Sequence, residues 1–119
     1  MSNRRVRAYR SGIFAESLVA LLLRLRGNRI VARRYRTPVG EIDLIALKGK
    51  RLAFVEVKRR KRFEDAAEAL PSRARRRIVR AAQYWLSAHP SYAGHDMRFD
   101  VVLTAPWSWP HYIENAFPI

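Results

Sequence analysis

The chain is predicted to fold as an α/β protein, on three features of its sequence. Apolar residues recur at the helical interval over 12–26 and 73–88. Extended, partly alternating segments cover 28–36 and 98–104. Between the helices, two apolar strands, Gly40 to Ala46 and Phe54 to Lys58, are separated by the short polar connection Lys48-Gly49-Lys50-Arg51.

Residues 1–11 carry Arg4, Arg5, Arg7 and Arg10 with no acid, and predict a basic N-terminal arm ahead of a domain spanning 12–119. A helix is expected from Gly12 to Arg26, with Phe14, Leu18, Leu21, Leu22 and Leu25 as its apolar stripe and Gly27 as its stop. Glu16 lies near its first turn, where an acid that merely complements the helix dipole is common. Asn28 to Arg36 reads as a strand, with Ile30, Val31 and Tyr35 among Arg29, Arg33, Arg34 and Arg36. Thr37-Pro38-Val39-Gly40 then turns the chain into the central hairpin.

Beyond the hairpin comes the basic run Arg59-Arg60-Lys61-Arg62, then a linker or short helical turn over 63–71. Ser72 is a suitable N-cap for a helix from Arg73 to Ala88. Its residues Ile78, Ala81, Ala82, Trp85 and Leu86 should pack on the sheet, while Arg73, Arg75, Arg76, Arg77 and Arg80 crowd its N-terminal half. His89-Pro90 ends this helix, and Arg98 to Thr104 makes a further strand. Asp100 within it is read as structural, pairing with a neighbouring arginine or capping a turn. The segment from Ala105 to Tyr112 is rich in tryptophan and proline. Large apolar groups prefer burial, so its tryptophans are expected to cover a core edge or a dimer interface rather than to stack on bases.

The chemistry concentrates in the hairpin. Strand alternation places Glu41 and Asp43 on one face, and Glu56 and Lys58 on one face of the partner strand. If Gly49-Lys50 is a two-residue loop, Lys48 faces Arg51, and the register then sets Asp43 opposite Glu56 and Glu41 opposite Lys58. Cross-strand Cβ atoms are ~5 Å apart, so two carboxylates would meet there and need a positive charge between them. Such an oxygen-rich pair suits Mg²⁺ or Mn²⁺, and a neighbouring lysine could orient a water or steady charge on a phosphate. A charged, solvated hairpin face is the plainer alternative. Against it stand Ile42, Leu44, Ile45, Ala46, Leu47, Ala53, Phe54, Val55 and Val57, which read as buried on both faces. Glu41 opposite Lys58 could equally serve only as its ion-pair partner.

Of 119 residues, 24 are basic and 10 acidic, giving a net charge of +14, and most of the basic residues are arginine. Arginine suits bidentate phosphate contacts, so the field points to a polyanion, with nucleic acid as the leading partner. No basic amphipathic helix stands apart to engage a membrane. The absence of cysteine excludes disulfides and thiolate metal sites. With no signal-peptide pattern evident, a soluble, cytoplasmic protein is expected.

Gly40-Glu41-Ile42-Asp43-Leu44-Ile45 followed by Phe54-Val55-Glu56-Val57-Lys58 resembles the YraN family, small bacterial proteins of the restriction-endonuclease-like, PD-(D/E)xK type, a superfamily that includes Holliday-junction resolvases. Gly12 and Glu16, Arg98 to Val102, and Ala116-Phe117 extend the likeness over most of the chain. Where the family carries a lysine at the start of its second helix, this chain has Ser72-Arg73-Ala74-Arg75-Arg76. The resemblance implies a three-layer α/β/α fold with a central mixed sheet. It also implies Asp43 and Glu56 as metal ligands, Lys58 as catalytic lysine and Glu16 as an additional acid. The expected function is a metal-dependent endonuclease on DNA, including branched intermediates. Arg59, Arg60, Lys61 and Arg62, with the arginines at 73–80, would hold the backbone. The alternative is a non-catalytic nucleic-acid-binding protein on the same scaffold. A resolvase making paired cuts would need a homodimer.

Overall fold

The structure is a computed structural model and describes residues 3–59 and 71–118. Arg60, Lys61, Arg62 and the expected linker lie outside the described residues. In chain order the elements are α1 (Asn3–Leu25), β1 (Arg29–Thr37), β2 (Gly40–Lys48), β3 (Arg51–Arg59), α2 (Ser72–Ala88), a 3₁₀ turn (Pro90–Tyr92), β4 (Asp96–Thr104) and β5 (His111–Phe117). The strands form one mixed sheet in the order β1-β2-β3-β4-β5. It is antiparallel throughout except between β3 and β4, which run parallel and are joined by the crossover through α2.

The central hairpin follows the expected register. Gly49 has φ +61 at the first position of a two-residue loop, and Lys48 pairs with Arg51. Along β3 the side chains divide by alternation into two cores. Leu52 and Phe54 join Ile78, Ala81, Ala82 and Trp85 of α2, whereas Ala53 and Val55 join Val19, Ala20 and Leu23 of α1. The two helices therefore serve opposite faces of the sheet. On the α2 side, Phe54 meets Trp85 edge-on at 6.2 Å between ring centroids and Phe99 at 5.4 Å, and Phe99 stacks on Phe117 at 5.0 Å.

Four expectations are corrected. Residues 3–11, read as an arm, continue α1: arginine favours helices and no proline interrupts the run. The stripe Phe14, Leu18, Leu21, Leu22 and Leu25 is not the buried one, since Phe14, Leu21 and Leu25 are exposed while Ala15, Glu16, Val19, Ala20 and Leu23 are buried. The small side chains let the helix lie close to the sheet, which outweighs the greater area of the leucines. Pro71, not Ser72, takes the N-cap position of α2, and Ser72 is the first helical residue. The tryptophans at 107 and 109 are exposed and cover no edge of the described core, and residues 111–117 form an edge strand that the proline-rich stretch before them obscured.

Gly27 ends α1 as expected. It takes φ +90, donating to the Arg24 carbonyl at 3.0 Å while Asn28 donates to that of Leu23 at 2.9 Å, the paired bonds of a Schellman motif. Gly40 is required for a different reason. A Cβ there would stand 2.1 Å from the Arg77 carbonyl oxygen, so α2 crosses β2 backbone against backbone. Gly40→Ala should cost about 2 kcal/mol or more in urea unfolding, because backbone rather than a flexible side chain must yield. A variant as stable as wild type would refute this contact. Among the described residues, no helix is long and apolar enough to cross a membrane.

Candidate functional site

The backbone pairing of β2 with β3 runs from Lys48–Arg51 to Leu44–Val55. At the next position the Asp43 side chain continues the link, its Oδ2 accepting the Val57 N–H at 2.7 Å. The alternation of β2 breaks at this point: Ile42 joins the core under α2, whereas Leu44, two residues on, joins the core under α1. Asp43 is thereby drawn toward Glu56, with which it shares a hydrogen bond between carboxyl groups. Lys58 lies on the same face of β3, with Nζ 3.1 Å from Glu56 Oε1. The expected meeting of Asp43, Glu56 and Lys58 is thus present.

α1 supplies Glu16, which is only 7 % exposed and whose Oε1 is buried without a hydrogen-bond partner among the described residues. Burial, and after it the charge of Asp43, raises its pKa, while Arg34, Arg33 and Arg36 of β1 pull the other way. Glu16 can reach this end of the sheet only because α1 turns its small residues inward. Burying the leucine stripe would have aimed Glu16 away. Glu41 does not pair with Lys58. It is exposed, faces Arg36 across the β1–β2 ladder and makes a 3.7 Å ion pair with it, because the β1–β2 register governs there.

Burial raises the Asp43 pKa, against the Val57 hydrogen bond and the Lys58 charge. Burial and then the Asp43 charge push Glu56 up to about 7, against Lys58. Burial first, and for Glu56 the Asp43 charge after it, therefore favours a bound proton on the pair. A raised carboxylate pKa means that the folded state binds this proton more tightly than the unfolded one. Its stabilising effect is complete below the ordinary value of 4.5 and is lost as pH rises to about 7. Without divalent metal, Glu56→Gln should match wild type near pH 4.5 and exceed its stability by about 2 kcal/mol at pH 8. Urea unfolding at the two pH values measures the difference, and an equal gap at both would contradict the assignment.

Among the described residues, no three His, Cys, Asp or Glu side chains group closely enough to hold a metal ion. The donors that could meet an ion are the paired carboxylates of Asp43 and Glu56; Glu16 stays outside that group, its Oε1 buried without a hydrogen-bond partner among the described residues. This suits a hard cation of the magnesium kind, which commonly takes one or two carboxylates and fills its other positions with water and phosphate.

The arginines assigned to the backbone-holding surface divide. Arg59 and Arg73, Arg75, Arg76, Arg77 and Arg80 are exposed. Arg75, Arg76 and Arg80 line a groove of about 430 Å³ with Phe117 and Pro118, and Arg75 stands over the Phe117 ring at 5.9 Å. This groove shares no residue with the carboxylate site. Asp100 is structural, as expected, with Arg98, Tyr112 and the Asn115 N–H all donating to it.

A mixed five-stranded sheet between two helices, with a buried carboxylate pair and a lysine at one end of its central hairpin, defines the class of the molecule. Residues 15–104 match the family described as "Uncharacterised protein family UPF0102". The chain is 54 % identical to a UPF0102 protein of Rhodopseudomonas palustris (strain BisB18) over 95 % of its own length and 84 % of the relative's. It is 53 % identical to one of Parvibaculum lavamentivorans over 92 % and 83 %, and 51 % to one of Bradyrhizobium diazoefficiens over 98 % and 87 %. The chain belongs to the UPF0102 family.

Proposed function

We propose that this protein is a metal-dependent endonuclease acting on DNA, built on the three-layer, restriction-endonuclease-like plan that its YraN-type hairpin motif implies. The reading rests on one observation above the others, the convergence of Asp43, Glu56 and Lys58 at the point where the β2–β3 pairing gives way to the Asp43 side chain. Asp43 and Glu56 would hold Mg²⁺ or Mn²⁺, with Glu16 assisting. The ion would supply charge neutralisation at the scissile phosphate and a more acidic bound water. Lys58 Nζ, held by Glu56, can donate to a phosphate oxygen or orient the attacking water. The exposed arginines of α2 and Arg59 would hold the phosphodiester backbone, by contacts that weaken steeply with salt.

The net charge of +14 by itself also favours a second reading, a nucleic-acid-binding protein without catalysis. Labelled single-stranded, duplex, flap and four-way-junction DNA, incubated with Mg²⁺ or Mn²⁺ and with EDTA, separates the two. Metal-dependent cutting supports the nuclease and identifies its substrate. Binding without cutting on every substrate supports the binding protein.

A further inference from the structure

The loop between β4 and β5, residues 105–110, carries two indoles in water. Trp107 is fully exposed and Trp109 is 77 % exposed, whereas Trp85 is buried in the core. Exposing one tryptophan is costly, and a short loop that places two at positions i and i+2 is unusual.

The sheet fixes where this loop emerges. β3 and β4 are parallel, with Lys58 beside Leu103 and Arg59 beside Thr104, so the chain leaves β4 at the edge where the strand of Lys58 ends. The Thr104 hydroxyl donates to the Lys58 carbonyl at 3.4 Å, tying the base of the loop to the backbone of the lysine. The loop is also constrained. Ser108 donates to the Ala105 carbonyl across a turn, Pro106 and Pro110 limit its ends, and Trp107 holds φ +60, a region that bulky residues rarely occupy. Strain of this kind persists only where the surroundings impose it, and it is found at binding sites.

Charge decides among occupants. An apolar partner surface would match the indoles but not the field of +14 in which they sit. Unpaired nucleotides match both, presenting aromatic faces on a polyanionic backbone, and proteins that hold single strands combine aromatic platforms with a basic track in this way. We propose that Trp107 and Trp109 form a base-stacking platform for unpaired nucleotides beside the carboxylate–lysine site, so that the substrate is DNA with a single-stranded segment. This rests on the nuclease reading and deepens it.

The test uses the full chain, titrated with a thymine 12-mer and with a 12-base-pair duplex at fixed low salt. The readouts are tryptophan fluorescence and, for variants, anisotropy of labelled DNA. The single strand should quench the exposed indoles and leave the emission of buried Trp85. Trp107→Ala and Trp109→Ala should each weaken single-strand binding about tenfold, with duplex affinity changed less than twofold, and Trp107→Phe should restore part of the loss. Equal losses for both DNA forms, or none for the single strand, would overturn the platform while leaving the nuclease reading standing. Wild-type DNA binding together with loss of self-association in the alanine variants would reassign the indoles to a dimer interface. A wild-type chain that bound neither DNA would instead remove the nuclease reading, and the platform with it.

Discussion

Asp43→Asn should cut DNA on the order of 10²- to 10³-fold more slowly than wild type, yet bind it as tightly or more tightly. The amide oxygen of asparagine can still accept the Val57 N–H that Asp43 takes at 2.7 Å, so the hairpin should keep its shape. What disappears is one of two carboxylates held close together, and with it one of the proposed metal ligands. The remaining Glu56 no longer faces the Asp43 charge that helps raise its pKa, and the site presents less negative charge to phosphate. Lys58→Ala should also lose cutting, by removing the cation 3.1 Å from Glu56. Rates and affinities measured on the same substrate distinguish these cases. A variant that lost binding in step with cutting would be misfolded, and cutting retained in both would place the chemistry elsewhere.

Asp100→Ala should cost about 3–5 kcal/mol, enough to leave the chain largely unfolded on heating well below the wild-type transition. Asp100 is wholly buried and satisfied from three sides: Arg98 Nε reaches its two oxygens at 2.9 and 3.0 Å, the Tyr112 hydroxyl donates to it, and so does the Asn115 N–H at 2.9 Å. It sits where the β4–β5 register shifts between Phe99 and Val101, so its carboxylate fills the irregularity that Asn115, at φ +50, creates in β5. Burial, then the Asp100 hydrogen bond, holds the Tyr112 hydroxyl protonated far above its ordinary range. Alanine would take from the Arg98 guanidinium its buried counter-ion, leaving it the Tyr112 hydroxyl and a 3.6 Å contact to exposed Glu114. Asp100→Asn should lose less, since it keeps an acceptor for Asn115. Equal stability of the alanine variant and wild type would show that β5 is held by apolar packing alone.

The hairpin was legible because one glycine fixes a loop, the loop fixes a register, and the register fixes which acids meet. Glu41 escaped that logic because its partner lies on β1, where the turn at Pro38-Val39 pairs Arg36 with Glu41. The rotation of α1 was misread by weighing leucines over alanines. Yet the sequence held the correction: Glu16 and the stripe Phe14, Leu18, Leu21 and Leu25 lie on opposite sides of a helix, so both could not face the sheet. The loop tryptophans follow no periodicity, and the general tendency of indoles toward burial does not place them on the core of the single chain.

The arginines of β1 have a consequence unrelated to phosphate. β1 is an outer strand of the sheet, and such a strand offers a row of unsatisfied amides and carbonyls to any other chain that can lie alongside. Arg29, Arg33 and Arg36 project from it into solvent, and the bulge and the left-handed Arg34 bend its outline. Two copies meeting edge to edge would bring like charge together on a crooked strand. Part of the positive charge thus keeps crowded molecules from zipping into one another, and exchanging those arginines for threonine or valine would yield fibrous aggregates from a chain whose fold was otherwise intact.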